Sequence, residues 1–164
     1  SMPGIKALYP SNSQDAYDAI LAAYEDNNPV ILFEHKALYR RSKQPVVWNP
    51  EYQNVWSPKQ LREGDFATFV TYGEMVHLAS GACDYLTEEY ETGFDLFDLR
   101  GLAPLKLEAI QASLARTGRL VVLHEGPKII SINSRPLLSE SAPWISPCLS
   151  PLNSKKPTAL IKTR

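Results

Sequence analysis

The sequence has little cysteine, no long apolar run and no strong charge of either sign. Cys83 and Cys148 are its only cysteines among 164 residues. That is too few for a disulfide scaffold, and a reducing, cytoplasmic setting is the expectation. No apolar stretch approaches the ~20 residues that a membrane-spanning helix needs. The opening Ser-Met-Pro-Gly-Ile-Lys has no signal-peptide pattern. A net charge of −1 excludes a globally basic surface, so neither nucleic acid nor membrane is an expected partner. Familiar chemical signatures are missing too: there is no GxGxxG, P-loop, CxxC, HExxH or GxSxG. What is present is 44% hydrophobic residues, enough to build a core in one domain or in pieces of two.

The near-neutral charge hides an asymmetry. Residues 1–125 carry 17 acids and 11 bases, whereas residues 126–164 carry one acid, Glu140, and six bases. The same final segment holds six of the 13 prolines, so body and tail need separate arguments.

The body reads as alternating helices and strands. Ser11 and Gln14 have capping-box spacing ahead of a helix whose apolar stripe is Ala16, Ile20, Ala23 and Tyr24. Asp26-Asn27-Asn28-Pro29 stops that helix, because proline disfavours helical geometry at the residue before it. Val30–Phe33 is an unbroken apolar run, the pattern of a strand buried on both faces. The polar stretch 34–62, with Trp48 and Trp56, reads as a linker with some packed side chains. A second unit starts near Asp65. Strands are predicted at 67–72, 94–99 and 119–124. One intervening helix over 74–90 carries the stripe Met75, Leu78, Ala79, Ala82 and Leu86. The other opens at Pro104, carries Leu107, Ile110 and Leu114, and ends at Gly118. Strand–helix–strand–helix–strand implies an α/β fold, a parallel sheet with right-handed crossover helices.

Candidate chemistry is sparse. His124-Glu125 ends a strand at the carboxyl edge of the sheet, where sites collect, although such a pair is first of all an edge polar group. Glu34-His35-Lys36 follows a strand in the same way. His77 lies one residue off its helix's apolar stripe and reads as a boundary surface residue. Cys83, beside that stripe, reads as a small buried residue. Asp26-Asn27-Asn28 reads as an ordinary helix stop whose carbonyls could face a cation.

An ordered set of motifs carries a family resemblance. It runs through Gly4-Ile5-Lys6, Pro10-Ser11, Asp15-Ala16, Asp26-Asn27-Asn28-Pro29-Val30 and Phe33-Glu34-His35-Lys36-x-Leu38-Tyr39-Arg40. It continues with Leu61-Arg62-Glu63-Gly64, Thr71-Tyr72-Gly73, Asp98-Leu99-Arg100-x-Leu102-x-Pro104 and Thr117 to Glu125. Over residues 3–126 the chain resembles the β subunit, or β half, of the thiamin diphosphate-dependent 2-oxo acid dehydrogenase decarboxylating component. The Glu-His-Lys-x-Leu-Tyr-Arg segment resembles the branched-chain, 2-oxoisovalerate type more than the pyruvate type.

The resemblance implies an organisation. Residues 1–35 would be the last helix and strand of a pyrimidine-binding domain, 36–64 a linker, and 65–126 the first half of a transketolase C-terminal-like domain. Residues 127–164 would be a divergent basic tail. It further implies assembly with an α subunit and an acyltransferase core. In the family, a glutamate activates thiamin diphosphate and a histidine of the β subunit lies near the reacting centre; neither matches a residue of this sequence, and the diphosphate and Mg²⁺ belong to the α partner. No residue here is therefore assigned as catalytic or cofactor-binding, and the isolated chain is expected to be inactive. The one implied metal site is for a monovalent cation, K⁺, on main-chain oxygens at Ala23, Asp26 and Asn28.

The sequence departs from the family at Gly101 (usually threonine), at Lys106 (usually aspartate), and beyond Gly126, where a glycine-rich turn and an alanine-rich helix are replaced. The tail reads either as a basic extension with short strands at 129–130 and 159–161, or as the product of a reading-frame shift near residue 127 in a fragmentary gene. Its six bases lack any amphipathic pattern that would suit nucleic acid or membrane. A fragment or split β subunit and a non-catalytic assembly module are the two functional readings. Both expect an unpaired sheet edge and hence an oligomer.

Overall fold

A computed structural model describes residues 4–41 and 43–125. The expected short strands at 129–130 and 159–161, and the frame-shift reading of the tail, lie outside the described residues. In chain order the elements are β1 (Lys6–Leu8), α1 (Ser13–Tyr24), β2 (Val30–Leu32), α2 (Leu38–Arg41), a 3₁₀ turn (Tyr52–Trp56), β3 (Lys59–Arg62), β4 (Ala67–Thr71), α3 (Met75–Tyr90), β5 (Phe94–Asp98), β6 (Gly101–Ala103), α4 (Glu108–Thr117) and β7 (Leu120–Val122).

Two sheets result. The larger has the order β3-β5-β4-β7, with β4 parallel to both β5 and β7. This is the expected parallel α/β core. The smaller has the order β2-β1-β6, with β1 parallel to β2. Two antiparallel pairings extend the parallel frame, β3 on β5 and β6 on β1. Neither β3 nor β6 carries a readable pattern: β3 is Lys-Gln-Leu-Arg, and β6 is three residues long. The 36–64 stretch expected to be a linker thus contributes a short helix, a 3₁₀ turn and a strand.

The core follows the two-residue period of β4 and β5. Phe69 and Leu96 pack with Ala79 and Cys83 of α3 on one face. Val70 and Phe97 pack with Ile110 of α4 on the other. Burying each such large side chain contributes on the order of 1.5–3 kcal/mol. A third cluster, Leu8, Ala19, Ala22 and Val55, joins α1 to the smaller sheet and the 3₁₀ turn.

Several local expectations are corrected. The N-cap of α1 is Asn12, whose side chain accepts from Asp15 N at 2.9 Å. Ser11 is instead buried, and its hydroxyl donates to Asp98. The inner face of α1 is Asp15, Asp18, Ala19 and Ala22, while Ile20 is 54% and Tyr24 89% exposed. The large apolar residues point outward because small residues make the close contact and the two acids are satisfied by polar partners. Asp18 accepts from Gln14 at 2.9 Å and Asn49 at 2.8 Å. The strand at Val30–Leu32 is an edge strand, with Ile31 exposed, rather than one buried on both faces. On α3 the buried positions are Val76, Ala79 and Cys83, and Leu78 is exposed. Pro104 follows a cis peptide in the turn before α4, which begins only at Glu108. Gly118 does end α4, in the left-handed conformation (φ 66°) that glycine tolerates without a Cβ penalty.

Buried charge organises the joints. Arg100, itself in the left-handed region (φ 52°), donates to Asp15 Oδ1 at 3.1 Å, Asn54 O at 2.9 Å and Ser57 O at 2.7 Å. Gly101 follows because a Cβ there would sit 2.9 Å from Trp56 O. This rationalises the missing threonine at that position. Asp95, fully buried, accepts from Gln60, Gly64 N, Ser113 and Arg116. It therefore links β3, β5 and α4.

Two outcomes follow from these joints. Arg100→Ala leaves the Asp15 carboxylate buried and unpaired, and should lower stability by roughly 3–5 kcal/mol in urea titrations. Burial pushes the Asp98 carboxyl up to about 6, against the opposing hydrogen bond from Ser11. The folded state then holds this proton after the unfolded state has released it. The group's contribution to stability is therefore complete below about pH 4 and is lost as pH rises through 6. Unfolding measured from pH 4 to 7 should show this decline in the wild type and a flatter profile in Asp98→Asn.

Candidate functional site

The carboxyl ends of β1, β2, β4 and β7 converge. Each strand hands its next residues to one corner: Tyr9 after β1, Phe33 to His35 after β2, Tyr72 to Glu74 after β4, and His124-Glu125 after β7. Phe33 N donates to Leu8 O at 2.8 Å, and Leu123 N to Val70 O at 3.0 Å, so strand pairing carries the backbone into the site.

His35 is the centre. Its Nδ1 lies 2.8 Å from Glu74 Oε2 and its Nε2 3.4 Å from Glu125 Oε2. The ring is mostly buried, Glu74 more so, and Glu125 is half exposed. Two carboxylates face one imidazole, leaving an excess of negative charge. The phenols beside them register it. Tyr72 is raised above the usual tyrosine range by burial and by Glu125. Tyr9 is raised by burial and then by Glu125, Tyr72 and Glu74. The Tyr9 ring lies 5.4 Å from that of Tyr72 and 5.9 Å from that of Phe33. Together these aromatics wall the site on the sheet side. An open recess of about 380 Å³ borders His35 on another side, lined among others by Pro10, Ser13, Glu34 and Tyr39.

His35 and Glu125 come from the two strand-end segments that the sequence marked. Glu74 is not marked by the sequence reading, because the helix pattern over 74–90 begins at that residue. The signal was available: it follows Thr71-Tyr72-Gly73 at a strand end, as the other two do. His77, also as expected, lies at the surface, with Nε2 2.8 Å from Ser11 O. Cys83 is buried, and desolvation pushes its thiol up to about 11, an inert state.

The residues implied for a monovalent cation also meet, at the end of α1. Asp26 N donates to Ala23 O at 3.4 Å. Asp26 Oδ1 accepts from Asn28 N at 2.9 Å and Asn28 Nδ2 at 3.0 Å. Lys6 of β1 pairs with the other carboxylate oxygen, and this bond is the main reason that the Asp26 carboxyl is held down at about 2. The Asp26 side chain is thus committed to Lys6 and Asn28. The donors left for a cation are main-chain oxygens, a donor type that suits a hard ion.

Residues 58–136 match the family model described as "Transketolase, C-terminal domain". The chain is 36% identical over 149 residues to the pyruvate dehydrogenase E1 component subunit beta of Bacillus subtilis, covering 86% of this chain and 46% of that one. It is 36% identical over 125 residues to the 3-methyl-2-oxobutanoate dehydrogenase subunit beta of Mycobacterium tuberculosis, covering 76% and 36%. It is 38% identical over 143 residues to the 2-oxoisovalerate dehydrogenase subunit beta of Pseudomonas aeruginosa, covering 76% and 39%. The chain therefore spans less than half the length of these relatives. Among solved structures, a split-gene transketolase superposes with a TM-score of 0.60 at 25% identity, covering 74% of this chain and 39% of that one. A Pichia stipitis transketolase superposes with a TM-score of 0.54 at 15% identity, covering 76% and 18%, a likeness of fold.

One backbone position holds the site's aromatic wall. Gly73 adopts φ 60°, and a Cβ there would sit 2.9 Å from the Tyr9 ring. Gly73→Ala should combine left-handed strain with displacement of Tyr9 and cost about 1–3 kcal/mol in chemical denaturation.

Proposed function

Because the chain carries a transketolase C-terminal domain and is related to the β subunits of pyruvate and branched-chain 2-oxo acid dehydrogenases, we propose that it is a β-type assembly module of such a decarboxylating component. In this reading residues 1–35 end a pyrimidine-binding domain, 36–64 connect, and 65–126 begin the C-terminal domain. The module contributes to assembly with an α subunit and with an acyltransferase core, in the cytoplasm. Oxidative decarboxylation of a branched-chain 2-oxo acid or pyruvate, with acyl transfer to lipoyl groups, requires the β-subunit parts that this sequence does not contain. Thiamin diphosphate and Mg²⁺ enter only with those parts and the α partner. K⁺ is assigned to the main-chain oxygens of Ala23, Asp26 and Asn28.

The observation that carries the reading is the identity of about 36% with both β-subunit types, sustained through residues of both sheets. The surface supports it. Phe33 is 45% exposed beside the edge strand β2, and Tyr17, Ile20 and Tyr24 are exposed on α1. An open strand edge and exposed aromatic residues suit a protein partner. Among the described residues no helix is long and apolar enough to cross a membrane. A non-catalytic interaction module is the second reading, favoured by the split-gene transketolase neighbour, an inactive β4 tetramer.

The test is sedimentation of the full chain alone and with a 2-oxoisovalerate dehydrogenase α subunit. The chain alone should self-associate, and it should enter a stable complex with the α subunit. Calorimetry on the chain alone should detect no micromolar thiamin diphosphate binding, and no decarboxylation should be measurable. A monodisperse monomer that ignores the α subunit would remove the assembly reading, and micromolar cofactor affinity would remove its non-catalytic character.

A further inference from the structure

We propose that His35, Glu74 and Glu125 form a divalent transition-metal site that clamps the two sheets together at their carboxyl edges. Among the described residues these three are the one group in which a histidine nitrogen and two carboxylate oxygens, one from each residue, lie within 4.8 Å of one another. The site draws on three separate segments: His35 follows β2 of the smaller sheet, and Glu74 and Glu125 follow β4 and β7 of the larger.

The donor set selects the ion. Zn²⁺ binds imidazole nitrogen and carboxylate oxygen at about 2.0–2.2 Å, which places tetrahedral ligand atoms about 3.3–3.5 Å apart. An imidazole offers one nitrogen to an ion: at Nδ1, Glu74 Oε2 already lies 2.8 Å away, inside that edge, and Glu125 Oε2, now 3.4 Å from the opposite nitrogen Nε2, swings round to complete the set, displacing the Ala37 N–H that Nδ1 accepts at 3.3 Å. The imidazole disfavours Mg²⁺ and Ca²⁺, which take oxygen ligands. Charge points the same way. Two carboxylates exceed the charge that one imidazole can carry. Half-exposed Glu125 is the arm that closes on the ion, while Glu74, more buried, is already placed. A fourth position remains for water. A clamp of this kind binds the folded state and not the unfolded chain, so it stabilises by mass action.

The test uses the full chain stripped of metal with a chelator. Calorimetry with Zn²⁺ should show one equivalent bound at micromolar Kd or tighter, with Mg²⁺ at least 100-fold weaker, and saturating Zn²⁺ should raise the Tm. Glu125→Gln and Glu74→Gln should each weaken binding at least tenfold, and His77→Ala should leave it unchanged. Circular dichroism of the metal-free variants reports whether each still folds. Independently of any variant, Zn²⁺ should shift the imidazole nitrogen resonances of His35 in the wild-type chain and leave those of His77 in place. Absence of saturable binding, a preference for Mg²⁺, binding that survives both glutamine variants, or an unmoved His35 resonance would each overturn the proposal.

Discussion

A single guanidinium pins α1 and the 3₁₀ turn to the turn between β5 and β6, where the chain passes from one sheet to the other. Arg100 is buried, and its charge has one compensating carboxylate, Asp15, together with carbonyls at the end of the 3₁₀ turn. A buried cation without such partners would be untenable. This demand dictates much of the junction. The chain turns through a left-handed residue to aim the side chain, Gly101 leaves room for the Trp56 carbonyl, and α1 presents acids where an amphipathic helix would present leucines. The Asp98-Leu99-Arg100 motif is therefore a structural joint.

Asp95 does for the opposite end of β5 what Arg100 does for the junction. It draws Ser113 and Arg116 of α4 and the backbone of Gly64 onto one carboxylate. Thr68 adds hydroxyl pairings of 2.7 Å with Ser113 and Thr117. The contact between α4 and the sheet is thus partly polar. Such networks are directional where apolar packing is tolerant, and they specify one seat for the helix.

The strands β4, β5 and β7 and the helices between them were legible, because Ala-Thr-Phe-Val-Thr, Phe-Asp-Leu-Phe and Leu-Val-Val have strong strand character and Gly118 marks a helix end. What misled was the assumption that a helix buries its largest apolar residues. On α1, Ile20 and Tyr24 face outward, and on α4 Ser113 and Thr117 face inward, because both inner faces serve buried charges contributed from distant sequence. The strand β3 was hidden for a related reason: Lys-Gln-Leu-Arg pairs through its backbone, and Gln60 reaches Asp95, 35 residues later. At the site, strand-end logic marks His35 and Glu125, and the same logic applies to Glu74 after β4, where the helix pattern that begins at the same residue hides it.

The larger sheet has unlike margins. On one side lies β3, polar, antiparallel and broken by a register shift at Gln60 and Arg62. On the other lies β7, three apolar residues in regular parallel pairing with β4 and, among the described residues, with no neighbour beyond it. An irregular, charged edge repels further strands, while a regular apolar one templates them. The sheet therefore has a direction of growth. Its open, regular margin is Leu120-Val121-Val122, so the two edges of one sheet are unequal in their capacity to accept a further strand.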